Sequence, residues 1–343
     1  MRSRPTLEDV ARAAGVSTAT VSRVVNTPDR VRAETRQRVE AAVAELGYAP
    51  HFGGRALASN RTGTVGAVIP TMENAIFARG LQAMQEELDA AGVTLLVATS
   101  DYDAAKEAHQ IQTLLGRGVD GLVLIGEARD PAVYELLERF EVPFVLVWTW
   151  RADSPWPCVG FDNFAAARDL AERVLDRGHR RIAMVAGVTR DNDRAEARIR
   201  GVRAAMEARG LALAPSAVVE CDYRIEPGIE AARGLLAAVP RPTVLICGND
   251  VLAAGACRAV RAAGLRVPED VSVTGFDNIE IAELLEPPLA TVHVPHRRMG
   301  RMAARNLLAR LDPAAGGACG AERPASLRLE TEFLARGSLG PAP

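Results

Sequence analysis

Residues 15–26 read GVSTATVSRVVN, a glycine followed by small hydroxyl side chains, one arginine and a run of valines. No pair of these groups makes an acid–base couple or a nucleophile with its base. They suit recognition instead. Thr18 and Ala19 carry methyls that pack on thymine, and the Thr18 hydroxyl bonds to several base edges. Arg23, about one helical turn further on, reaches guanine O6 and N7 in the two-pronged manner of a planar guanidinium. Thr20, Ser22 and Asn26 are short polar groups that suit phosphate oxygens, which orient a protein on DNA without reading sequence.

Such a set suits the second helix of a helix-turn-helix, where the N-terminal residues enter the major groove; on the three-helix pattern alone, the other reading is a plain polar helix face with Ser17 as its cap. The flanking residues supply that frame. Thr6 before Leu-Glu-Asp makes an N-cap with acidic residues in the first turn. Leu7, Val10, Ala11 and Ala14 fall on one helical face, and Gly15 stops the helix. Ser17 caps a second helix with Val21, Val24 and Val25 inward. A third helix spans about 33–46, with Val39, Ala42, Val43 and Leu46 inward and Gly47 as its stop.

Charge agrees with this placement. Residues 1–62 hold 10 arginines against 6 acidic residues, a balance of +4, whereas the rest of the chain stands at −6. A basic head on an acidic body is expected to meet a polyanion with the head alone, although many small helical domains are mildly basic. Lys106 is the sole lysine among 41 basic residues, so cationic contacts fall to arginine.

With 343 residues, 48% hydrophobic and 24% charged, the chain reads as two or three globular domains. Its first residues lack the apolar core of an export signal, and no run is long enough to span a bilayer, so a cytoplasmic protein with no membrane partner is expected. Cys158, Cys221, Cys247, Cys257 and Cys319 are scattered and never paired as C-x-x-C, which argues against disulfides and zinc. His293 and His296 are separated by Pro295 and lack a third ligand, so no metal is expected. GRGVDG at 116–121 matches a dinucleotide fingerprint by letter, but it precedes a strand instead of following one. No catalytic residue and no cofactor are expected.

From Gly63 onward, continuous apolar runs (TVGAVIP, VTLLVAT, VDGLVLIG, VPFVLVW, then RIAMVAG, VVECDY, TVLICGN, VSVTGF) alternate with amphipathic helical segments. This is the pattern of parallel sheets covered on both faces, in two successive lobes. The fold class is therefore α/β: a three-helix head plus two doubly wound lobes, with ligands expected beyond the carboxyl ends of the strands.

TLEDVARAAGVSTATVSRVVN followed by ETRQRVEAAVAELGYAP resembles the DNA-binding head of the LacI/GalR family of bacterial repressors, densely over 6–50 and more loosely to about 336. The resemblance implies base contacts from Thr18, Ala19 and Arg23, and backbone contacts from Leu7, Ser17, Thr20, Ser22, Asn26, Thr35 and Tyr48. It implies a hinge at 51–62 whose Leu57 wedges the minor groove. Departures are Arg32 where the family often caps the third helix with Ser, His51 for Asn, and Gly53-Gly54 in the hinge, each glycine costing about 0.8–1 kcal/mol in a helix. That hinge is expected to order only on DNA.

The body resembles the periplasmic-binding-protein fold of LacI/GalR effector domains. That likeness divides the chain into a head at 1–50, a hinge at 51–62, a first lobe of 63–161 plus about 293–325, and a second lobe of 162–292 plus about 326–340. It nominates Asn74, Phe77, Asp101, Asp162, Arg198, Tyr223, Asn249 and Asp277 for a sugar effector; the loop reads Asn-Ala-Ile-Phe and lacks the family's Pro. WTWRADSPWPCVGFDNF resembles the matching region of gluconate-type repressors, which makes a sugar acid a candidate, with Arg198 facing its carboxylate. The expected protein is a homodimeric repressor of operator DNA under effector control. The alternatives are a sugar-binding protein without DNA function, or an enzyme on the same fold.

Overall fold

The computed structural model describes residues 5–26, 28–48, 61–311 and 326–343. The chain divides between Gly63 and Thr64 into two compact units.

The first unit is built from local signals. Helix α1 (Leu7–Ala14) opens with Thr6 and Asp9 bonding each other's backbone amides reciprocally, which satisfies two otherwise orphaned N–H groups. It closes on Gly15 at φ +63°, a left-handed conformation that costs glycine nothing. Helix α2 (Thr18–Asn26) follows at once, with the Ser17 hydroxyl accepting from the Thr20 amide at 3.2 Å. A single 3-10 turn, Pro28–Arg30, leads to α3 (Ala33–Leu46), at whose start Arg32 makes no side-chain cap hydrogen bond. Val10, Ala11, Ala14, Val21, Val24, Val39, Ala42 and Tyr48 form one buried cluster, so the inward stripes of the three helices meet as their spacing requires. Leu57 and the rest of 51–60 lie outside the described residues.

The second unit contains two parallel sheets. Strands β1 (Thr64–Ile69), β2 (Thr94–Thr99), β3 (Gly121–Ile125), β4 (Phe144–Val147) and β5 (Cys158–Gly160) are joined by β11 (Leu327–Arg328) in the order β11-β5-β4-β3-β1-β2. Strands β6 (Ile182–Gly187), β7 (Val218–Cys221), β8 (Val244–Cys247) and β9 (Ser272–Thr274) pair in the order β7-β6-β8-β9. The short strands β10 (Thr291–His293) and β12 (Glu332–Leu334) form an antiparallel pair. Central strands β1, β3, β4, β6 and β8 are buried along their whole length, which is why their sequences read as unbroken apolar runs.

Helices α4 (Ala75–Ala90), α5 (Ala104–Gly116), α6 (Pro131–Arg139) and α12 (His296–Leu311) accompany the first sheet, and α7 (Asn163–Asp176), α8 (Asp193–Glu207), α9 (Ile225–Leu236) and α10 (Asp250–Ala262) the second, with α11 (Ile281–Leu284) a single turn. The crossing of α4 and α12 is set by Gly80 and Gly300: a Cβ on Gly300 would stand 1.9 Å from the Gly80 carbonyl oxygen. The chain passes between the lobes after β5, around β10 and again after β11. Its final residues return to the second lobe. Ser338 Oγ accepts from the Ala290 amide and donates to the Val273 carbonyl, the Gly340 carbonyl oxygen lies 3.2 Å from His179 Nε2, and the Ala342 amide bonds Arg177 O.

Among the described residues no helix is long and apolar enough to cross a membrane, no group of acidic, histidine and cysteine side chains could hold a metal ion, and Cys158, Cys221, Cys247 and Cys257 are free thiols. Cys319 lies outside them.

Candidate DNA-reading helix and effector cleft

Ser17, just before α2, and Thr18, Ala19 and Arg23 on it are exposed, while Val21 and Val24 are buried. The helix therefore presents to solvent the residues whose chemistry suits base edges. Thr20 and Ser22 are half-buried, and the Thr20 hydroxyl lies 2.9 Å from that of Ser17. Leu7 and Thr35 are half-buried as well, at the starts of α1 and α3. Asn26 is the last residue of α2. Tyr48 is 7% exposed, its ring packed into the head's core.

In the body, loops after the strands converge on a cleft between the lobes. Its inner floor is lined by Asn74, Phe77, Trp148, Arg198, Asn249 and Asp277, beside Tyr102 and Tyr223. An outer cavity of about 460 Å³ continues from it, walled by Thr71, Glu73, Asp101, Arg190 and Asp222 among others. Six of the eight nominated effector residues thus reach the floor. Asp101 sits in the outer wall with its carboxylate on Lys106. Asp162 lines neither space: its carboxylate accepts from the Ala165 amide and caps α7.

The floor's chemistry centres on Asp277. It is 1% exposed, and neither carboxylate oxygen has a hydrogen-bond partner. Its φ of +102° turns the side chain inward, and the Asp277 amide, bonded to Val292 O at 2.8 Å, holds that backbone in place. A left-handed non-glycine residue of this kind costs about 1–3 kcal/mol and persists only where its surroundings impose it. Arg198 lies opposite. Its Nε donates to Asn163 Oδ1 at 2.9 Å and its Nη1 to Gly248 O at 2.6 Å, and the guanidinium stacks 3.9 Å from the Phe276 centroid. Nη2 remains on the cleft side, 4.0 Å from Asp277 Oδ1. Asn74 and Asn249 each use their Oδ1 to cap α4 and α10.

Burial pushes the Asp277 carboxyl up to about 6 against the pull of Arg198. Burial and the charge of Asp277 push Asp250 up to about 7, although Thr291 and the Ile279 amide donate to it. His296 is driven down to about 3, by burial first and then by the Arg79 charge, and is neutral at physiological pH. Its Nδ1 accepts from Trp148 Nε1 at 3.2 Å, so the proton sits on Nε2, 3.8 Å from Asp277 Oδ1. Trp148 O in turn accepts from Asn163 Nδ2 at 2.9 Å. Trp148, Asn163 and His296 were not singled out in the sequence as effector contacts. Their contacts span up to 148 positions, which no local spacing announces.

One motif explains part of the difference. GFDN occurs twice, at 160–163 and 275–278. The two phenylalanines, Phe161 and Phe276, stack with centroids 6.0 Å apart. In the first copy φ of Asp162 is −79°, so the Asp caps a helix and the Asn faces Arg198. In the second, Asp277 has the opposite sign of φ and itself faces the floor.

An exposed recognition helix joined to a two-lobed body with a polar cleft defines a ligand-responsive DNA-binding protein. Residues 6–51 match the family of bacterial regulatory proteins of the lacI type, and 62–336 match the periplasmic binding proteins and sugar binding domain of that family. The chain belongs to the LacI family of transcriptional regulators. It is 34% identical over 302 residues to catabolite control protein A of Priestia megaterium, covering 88% of this chain and 91% of that one. It is likewise 34% identical over 314 residues to the transcriptional regulator GntR of Escherichia coli K12, covering 90% and 93%. Among solved structures, the lac repressor dimer bound to operator and the anti-inducer ONPF matches with a TM-score of 0.84 at 28% identity, covering 98% of this chain and all of that one.

Proposed function

We propose that this protein is a transcriptional repressor that grips a pseudo-palindromic operator as a homodimer and is controlled by a polyhydroxylated effector in the inter-lobe cleft. Thr18, Ala19 and Arg23 read base edges, and Leu7, Ser17, Thr20, Ser22, Asn26, Thr35 and Tyr48 contact the backbone, Tyr48 through its hydroxyl since its ring is buried. Leu57 is the minor-groove wedge.

The observation that carries the effector reading is the Asp277 carboxylate, buried with both oxygens unpartnered beside Arg198. A buried acceptor pair of this kind calls for donors, and adjacent sugar hydroxyls supply them. A ligand carboxylate placed there would face a like charge, which tells against the expected pairing of a sugar-acid carboxylate with Arg198; such a ligand would instead direct its acid group toward Arg190 in the outer cavity. Ligand and operator then weaken one another equally, by about 1–3 kcal/mol.

The test is fluorescence anisotropy at fixed salt with operator fragments selected from random duplexes, against a panel of sugars, sugar phosphates and sugar acids. Selective binding released by one compound is the expected result. Absence of selective DNA binding under every condition would overturn the repressor reading.

A further inference from the structure

Two phenol rings stand between the floor of the cleft and its outer cavity. Tyr102 comes from the loop after β2 in the first lobe and Tyr223 from the loop after β7 in the second. Their centroids are 5.8 Å apart with planes tilted by 38°, so they touch across the cleft. Both rings line the inner space and the outer one. The inner space is only about 20 Å³, room for about one water. The outer cavity is about 460 Å³. The unpartnered Asp277 carboxylate therefore lies behind the rings, while the room for a ligand lies in front of them.

Both rings are held in place. Ser100 and Asp101 bond through their amides to Ile69 O and Pro70 O, and Asp101 and Tyr102 are both left-handed, at φ +53° and +59°, which returns the Tyr102 ring to the cleft. Tyr223 packs against Gly187, where a Cβ would come within 2.1 Å of its ring. The lobes that carry the rings are fastened to each other. Arg79 bonds Glu280 and Asn278 O, the Glu127 amide bonds Asp193, and Arg194 bonds Ile125 O.

We infer that Tyr102 is a specificity-determining residue of the effector site: with Tyr223 it forms an aromatic partition that a ligand must part to reach Asp277 and Arg198. Because the rings belong to different lobes, parting them requires either a turn of at least one side chain or a change in the lobe angle. Once parted, they are the walls against which the apolar face of a sugar ring stacks. A ligand that offers hydroxyls but no such face gains no contact from the rings and is selected against. This rests on the reading that the floor receives the effector, but the barrier itself can be tested without any effector.

Trp148 lines the floor and is 1% exposed, which makes it a reporter behind the partition. With Trp150 and Trp156 replaced by Phe, acrylamide quenching of Trp148 is measured in the full-length protein and in its Tyr102→Ala, Tyr102→Phe and Tyr223→Ala versions, with circular dichroism as the check on folding. The Stern–Volmer constant is expected to rise several-fold in both alanine variants and to stay unchanged in Tyr102→Phe, which keeps the ring. Equal quenching in Tyr102→Ala and the parent would overturn the partition, as would an increase in Tyr102→Phe matching that in Tyr102→Ala. Failure of every sugar to release operator would instead count against the effector reading and leave the quenching result standing.

Discussion

Replacing Asp277 with Asn separates the site's function from its cost. The carboxyl is wholly buried, its oxygens have no hydrogen-bond partner, and burial raises it from 3.8 to about 6. Each pH unit of that gap is worth about 1.4 kcal/mol, so keeping Asp277 ionised near neutrality costs the folded protein on the order of 3 kcal/mol. Between the unfolded value of 3.8 and about 6 the folded form holds a proton that the unfolded form has released. Stability from this group therefore falls as pH rises through that window and is level above it. Asp250, raised to about 7 partly by the charge of Asp277, adds a loss of the same sign that extends further up in pH. The Asn variant removes the first cost and eases the second. Urea unfolding at several pH values between about 5 and 8 is the assay. Near pH 8 the variant is expected to be more stable than the parent by up to about 3 kcal/mol, with the difference shrinking toward pH 5, while release of operator by effector is lost. A variant no more stable than the parent near pH 8, or a difference independent of pH, would refute the account of a buried charge that Arg198 only partly compensates.

Three further outcomes follow from the packing and the recognition helix. Arg23→Ala should cost about 1–3 kcal/mol of discrimination at one operator base pair, read by competition anisotropy, with no change in the circular dichroism spectrum. Thr6→Ala removes a reciprocal cap on α1 and should lower head stability by about 1 kcal/mol, visible as earlier melting of the head's amide signals. Gly300→Ala drives a methyl into the Gly80 carbonyl where α4 crosses α12 and should destabilise the body by about 1–3 kcal/mol in urea unfolding, with melting of the head unmoved.

The head was legible in the sequence because its determinants are local. Caps, stops and apolar spacing lie within a few residues of what they control, so the expected bounds of α3 coincide with Ala33–Leu46. The alternation of strands and helices in the body was legible for the same reason, since each buried strand is a continuous apolar run. The floor was partly legible: residues just beyond the carboxyl ends of strands, such as Asn74, Asn249 and Asp277, converge there because parallel connections bring those ends together. Sequence could not show which side chain of each GFDN faces inward, because that depends on the sign of one backbone angle. Nor could it show that Asp101 would turn away to Lys106 while Tyr102 filled the cleft, since two successive left-handed residues at Asp101 and Tyr102 carry no composition signal.

The return of Ser338, Gly340 and Ala342 to the second lobe fixes an order of completion during synthesis. The head is a contiguous stretch that can fold once its own residues have left the ribosome, whereas the second lobe waits for residues 338–342. A nascent chain thus carries a finished DNA-reading module long before it carries a finished sensor. Loss of residues 338–342 would therefore fall on the second lobe and leave the head's own contacts untouched.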